Sequence, residues 1–277
     1  SWPLPSIPGG GWFVGISFGR PHELWIAWDQ TLALFNTATQ GTTFYAIHTS
    51  TKYEYANAPG TWVRDLATTP DGVVWISREH AMSLLAFDPD DKTFTEHALL
   101  EVGVPDRIYV HPDGQLWLII AHDASSGQEY TKIALFDPAT HATQIVSEQA
   151  SSLAFDPQGE TIAGSADLVN FDPTGKLESR RQLPHPLSVD DLMLSLENGT
   201  LVITDKANSG VMVNEPGSNR WTVYKLETAA GPISAPPGYE GPAIREATAQ
   251  INDMHADSQG NVWLLNANYN RFVKLRP

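Results

Sequence analysis

Short apolar runs alternate with polar turns along the chain, and the turns repeat. The stretches "TTPDGVVWIS" (68–77), "VHPDGQLWLI" (110–119) and "HADSQGNVWLL" (255–265) each set a Gly three residues before a Trp: Gly72 and Trp75, Gly114 and Trp117, Gly260 and Trp263. Weaker copies stand at "SFGRPHELWIAW" (17–28), "AFDPQGETIAG" (154–164) and "SLENGTLVIT" (195–204). With His22 and the glycines at 72, 114, 159, 199 and 260 as markers, the spacings are 50, 42, 45, 40 and 61 residues, so six units are expected. Each marker is followed by a second shared element, an apolar run that in most units ends in an acidic or amide residue: "LALFN" (32–36), "LLAFDP" (84–89), "IALFDP" (133–138), "LVNFDP" (168–173), "VMVNEP" (211–216) and "FVKLRP" (272–277).

A unit of this kind reads as four short strands. One strand enters the Asp-Gly or Asn-Gly turn, whose Gly supplies a positive φ; the second carries the Trp, the third ends at Asp-Pro, and the fourth follows the next turn. Examples of the fourth are "TFTEHAL" (93–99) and "RWTVYKL" (220–226). Units of ~40–45 residues with four strands are the signature of a β-propeller blade, and no stretch with helical period competes. The pattern therefore predicts an all-β, six-bladed propeller of four-stranded antiparallel blades in a single domain over 1–277. The last unit stops after a third strand, so the ring is expected to close by "SWPLPSIP" (1–8) joining the C-terminal blade. A seventh blade would need four strands from 227–247, a Pro- and Gly-rich stretch that reads as a loop.

Composition narrows the chemistry. The 277 residues carry 32 Asp and Glu against 17 Lys and Arg, a net charge of −15 that repels polyphosphate, so nucleic acid is not an expected partner. There is no Cys, which excludes disulfides, thiolate metal sites and a Cys nucleophile. No apolar run approaches the roughly 20 residues of a membrane span, so membrane insertion by this chain is not expected. The sequence opens on Ser1, which points to processing, and the missing leader is uninformative.

The apolar-Asp-Gly-Trp pattern, clearest in "INDMHADSQGNVWLL" (251–265), resembles the repeat of two-component-regulator propellers and of streptogramin (virginiamycin B) lyases. The resemblance implies a propeller and admits extracytoplasmic sensors as well as lyases. In the lyase family a Glu stands three residues after the blade Trp, and works with a His near a magnesium ion. Here those positions hold Trp28, Arg78, Ile120 and Asn266, and Asp106 stands where the resemblance asks for His. The gluconolactonase family carries a Glu-Gly-Pro calcium motif on an inner strand, whereas Glu240-Gly241-Pro242 falls in the Pro-rich loop. The reading is thus a non-catalytic module binding a small polar ligand, a peptide or a protein, of extracytoplasmic or secreted location. The competing reading is a metal-assisted propeller enzyme of lyase or lactonase type.

Loop length places the site. Turns between strands one and two are tight, while 48–61, 121–131 and 227–247 extend from the opposite face, where long loops on a rigid scaffold usually bind. That face receives the starts of the inner strands, with Arg64, Asp65, Asp106, Arg107, Asp191 and Asp253, and the ends of the second strands, with Trp28, Arg78, Glu79, His122 and Tyr269. No cofactor is expected, apart from a candidate Ca or Mg ion at the channel mouth held by Asp65, Asp191 and Asp253. Trp75, Trp117 and Trp263 read as inter-blade core, and the turn aspartates as local backbone acceptors. The stretch "DPDDKTFTE" (88–96) lacks the Gly and final Glu spacing of a calcium loop and reads as a turn. Protein docking on the blade sides or the tight-turn face would instead show as exposed apolar residues there.

Overall fold

The computed structural model describes residues 13–28, 30–47, 63–78, 81–100, 102–121, 131–146, 150–156, 158–159, 161–164, 166–184, 186–187, 191–205, 210–218, 220–225, 251–256, 262–266 and 271–275. Blade one is β1 (Phe13–Phe18), β2 (Glu23–Trp28), β3 (Thr31–Asn36) and β4 (Thr42–Ala46). Blade two is β5 (Val63–Thr68), β6 (Val74–Arg78), β7 (Ser83–Asp88) and β8 (Thr93–Ala98); blade three is β9 (Val104–Val110), β10 (Leu116–Ala121), β11 (Thr131–Phe136) and β12 (Thr143–Val146). Blade four is β13 (Ser152–Phe155), β14 (Thr161–Gly164), β15 (Asp167–Phe171) and β16 (Leu177–Gln182). Blade five is β17 (Met193–Ser195), β18 (Leu201–Asp205), β19 (Gly210–Asn214) and β20 (Trp221–Lys225). The last strands are β21 (Ile251–Ala256), β22 (Val262–Asn266) and β23 (Arg271–Leu275). All pair antiparallel with their sequence neighbours inside each sheet.

The expected six four-stranded blades are corrected to five: the sixth unit is a three-stranded sheet of β21, β22 and β23. Counting markers counts units, but a blade is complete only when a fourth strand takes up the free edge of the third, and no described strand does so on β23. The segment 1–8, assigned to that edge, lies outside the described residues, as does the loop 227–247. The chain divides into two compact units, Ser1–Ala150 with the first three blades, and Ser151–Pro277 with the remaining sheets. Among the described residues no helix is long and apolar enough to cross a membrane.

The repeated turns form as their residues dictate. Between β5 and β6, the Gly72 N–H donates to the Thr69 carbonyl at 2.8 Å and the Thr69 N–H to the Val73 carbonyl at 3.0 Å, closing a three-residue loop. Gly72 supplies the left-handed position at φ +94°, and His22 takes the same position in blade one at φ 70°. At the ends of the third strands, Asn36, Asp88, Asp137 and Asp172 accept backbone N–H groups two residues on at 2.8–3.0 Å. Asp88 thus spends its Oδ1 on the N–H groups of Asp90 and Asp91, as a turn former does.

Alternation along each strand builds the core. On β6, Val74 and Ile76 pack toward blade one with Trp25, Leu66 and Phe87, while Trp75 points to blade three with Ile108, Leu118 and Phe136. Trp75 is 3% exposed and Trp117 fully buried, which agrees with the core reading of those two, while the side chain of Trp263 lies outside the described residues. In the second unit, Met193, Leu201 and Ile203 join blades four and five, and Val202, Val211 and Val262 join blade five to the three-stranded sheet.

A histidine pair sits in the seam between blades two and three. His97 packs on Trp75 and Phe136 at ring-centroid distances of 5.2 and 5.9 Å and faces His141 at 4.3 Å. Burial, and then the charge of His141, push the His97 pKa below its ordinary 6.5. The unfolded chain therefore binds more protons than the folded one once pH falls below 6.5, so the stability present above that value is lost on acidification. Melting followed from pH 7.5 to about 5 should fall less steeply in His97→Phe than in the parent. Identical slopes would show that His97 carries no pH dependence.

Candidate functional site

At the start of the inner strands the ladder is interrupted in the same way in four sheets. Register shifts between Phe13 and Gly15, Val63 and Asp65, Ile120 and Ile119 opposite Pro105 and Arg107, and Ile251 and Asp253 leave Val14, Arg64, Asp106 and Asn252 as bulged residues. A bulge bends the strand and re-aims its side chain. In unit one it turns Arg64 and Asp106 toward each other across two blades, Nε to Oδ1 at 2.5 Å, with the side chains 49% and 20% exposed.

The other predicted residues fall into different roles. Asp65 is an internal tie: Oδ1 accepts the Leu66 N–H and Oδ2 the Ile108 N–H, both at 2.9 Å, so the second bond joins β5 to β9. Arg107, next to the bulge, is half-buried opposite Ile119. Arg78 is no rim residue; its guanidinium is fully buried, and Nη2 donates to Glu96 and, at 2.9 Å, to Ser83 Oγ, which itself donates to Glu96 at 2.8 Å. Trp28 is 2% exposed and packs with Ile26, Ala33 and Phe35, which places it in the core instead of on a ligand. Asp191 is also buried, accepting the Thr204 hydroxyl at 3.2 Å. Glu79, His122 and Tyr269 and the side chain of Asp253 lie outside the described residues. Among the described residues no three His, Asp or Glu side chains are grouped as metal ligands.

At the opposite, tight-turn end of unit one lies a cleft of about 350 Å³. The ends of β1, β5 and β9 and their loops line it, among them Phe18, Arg20, Thr68, Pro70, Val110 and His111. Loop length alone favours the long-loop face, and the sequence offers this one only as a protein-docking alternative marked by exposed apolar residues. The cleft arises from three short loops standing side by side, which no single repeat reveals.

Five four-stranded blades with repeated Gly turns and inter-blade tryptophans define a β-propeller, and its fold is virginiamycin lyase-like. No family model and no curated protein matches the sequence. Among solved structures the chain is similar to a streptogramin B lyase, with a TM-score of 0.70 and 13% identity over 95% of this chain and 78% of the other. It is similar to a catalytically inactive virginiamycin B lyase from Staphylococcus aureus with quinupristin, TM-score 0.68, 14% identity, 96% and 81% covered. It is also similar to a gluconolactonase from Xanthomonas campestris, TM-score 0.59, 13% identity, 92% and 83% covered. These likenesses are of fold.

Proposed function

We propose that this chain is a non-catalytic binding propeller, an extracytoplasmic sensor-type module that takes a small polar ligand or peptide at the bulged starts of its inner strands. The bulge-borne Arg64–Asp106 pair carries the reading. A partly exposed ion pair contributes only about 0–1 kcal/mol to stability, so a device that aims two opposite charges from neighbouring blades is poorly explained by stability. It offers instead a donor fork and an acceptor side by side, suited to a zwitterionic or amide ligand. The neighbouring carboxylate of Asp65 is committed to backbone N–H groups and holds the platform rigid.

Thermal-shift and calorimetric screening with short peptides, mono- and disaccharides, CaCl2 and MgCl2 tests this. A saturable binder is expected, and Arg64→Ala or Asp106→Ala should weaken it about tenfold or more while changing stability by no more than about 1 kcal/mol. Binding that survives both substitutions would remove the site.

A further inference from the structure

The tight-turn cleft of unit one asks for an occupant of its own. The last residues of β1, β5 and β9, Phe18, Thr68 and Val110, all line it. Phe18 is 60% exposed, which makes it the most exposed large apolar side chain among the described residues. Thr68 is held in place by donating its hydroxyl to Ser17 Oγ at 2.9 Å. A volume of about 350 Å³ lies at the small end of ligand pockets and suits a short segment with one apolar side chain.

Charge decides what flanks that side chain. Arg20 is the one Arg or Lys among the lining residues, and it is already neutralised: Nη1 and Nη2 hold the two carboxylate oxygens of Asp90 at 2.7 and 2.8 Å, and Nη2 lies 3.4 Å from the Asp71 carbonyl. Its guanidinium covers Gly72, where an added Cβ would stand 2.8 Å from Nε. Three more carboxylates stand at the margins. Glu23 Oε2 accepts the Arg20 N–H at 3.1 Å, Asp71 lies between the lining residues Pro70 and Gly72, and Asp113 follows Pro112 and faces His111 Nδ1 at 2.6 Å. Even with His111 protonated, Glu23 and Asp71 leave the cleft negative, on a chain whose net charge is −15.

We propose that this cleft docks a basic peptide segment of a partner protein, an apolar residue seated against Phe18 and Val110 with Lys or Arg on either side reaching Glu23, Asp71 and Asp113. This is a second surface, independent of the Arg64–Asp106 end. Long-range attraction between such charges is screened within roughly 8–10 Å at physiological salt, so the docking is salt-sensitive by construction.

The test titrates the full isotope-labelled chain, followed by amide NMR shifts, with acetylated hexapeptides in which one Leu is flanked by Lys, flanked by Glu, or replaced by Gly between Lys residues. The Lys-flanked Leu peptide is expected to saturate, with shifts centred on residues 18–20, 68–72 and 110–112, and to weaken about tenfold between roughly 20 and 200 mM NaCl. Phe18→Ser, or Glu23→Gln with Asp71→Asn, should each weaken it about tenfold, the Asn oxygen still accepting the Val73 N–H and the Thr69 hydroxyl. Arg64→Ala should leave it unchanged, which separates this site from the ligand site proposed above. Four results would overturn the assignment: equal binding of the Glu-flanked peptide, shifts centred elsewhere, no saturable shift with any of the peptides, or Phe18-dependent self-association of the chain in place of peptide binding.

Discussion

Glu96→Ala is expected to destabilise the first unit by about 3–5 kcal/mol, because it leaves the guanidinium of Arg78 buried without its carboxylate. Arg78 is fully buried and the Glu96 side chain is only 12% exposed, so solvent offers the guanidinium a poor substitute for the lost carboxylate. Ser83 cannot take over, since its hydroxyl is neutral and already shared between the two charged groups. Glu96→Gln should cost less, because the amide oxygen still accepts from Nη2 while the charge is lost. The double substitution Arg78→Met with Glu96→Leu should recover most of the stability, since replacing both partners by apolar groups removes the buried charge altogether. Chemical denaturation monitored by tryptophan fluorescence measures all three. A loss below about 1 kcal/mol for Glu96→Ala would mean that the pair is hydrated and not structural.

Trp75→Ala is expected to cost about 3–5 kcal/mol by lost burial and the cavity left behind. Trp75 is 3% exposed, and its ring meets Phe136 of blade three edge-on at 5.3 Å, so it joins two blades instead of filling one. The loss should appear as a fall in melting temperature on the order of 10 °C, with His97 losing one of its two aromatic neighbours and keeping Phe136. Trp75→Phe should retain a large share of the stability, because a smaller ring still fills part of the gap. If Trp75→Ala melted with the parent, the inter-blade seam would not be what holds these blades together.

Much of the candidate site was visible as positions but not as roles. Arg64 and Asp106 are 42 residues apart, the same interval as Gly72 and Gly114, so the repeat already set opposite charges at one place in consecutive blades. That the two meet depends on bulges in β5 and β9, which leave no trace in alternation because one extra residue costs the pattern a single position. By its place on an inner strand Asp65 reads as a ligand residue. Its oxygens are taken instead by backbone N–H groups, one of them 43 residues away, a partner that no local spacing names. Arg78 shows the same limit: whether an Arg at a strand end points to solvent or into the sheet is decided by an acceptor two strands over, Glu96 on β8.

What the amino-acid order determined alone is what short-range chemistry controls. The positive-φ turns at Gly72, Gly114, Gly159 and Gly199, the side-chain-capped turns after the third strands, and the burial of Trp25, Trp75 and Trp117 all follow from bonds within a few residues or from strict alternation. What only the tertiary structure decided is what depends on neighbouring sheets. The count of five complete blades depends on which strand edges find partners. The Arg64–Asp106 pair and the acidic cleft under Phe18 depend on strands and loops about 42 to 50 residues apart being laid side by side. Such contacts combine packing with electrostatics, and a linear pattern specifies the residues that can meet but not the partner each one takes.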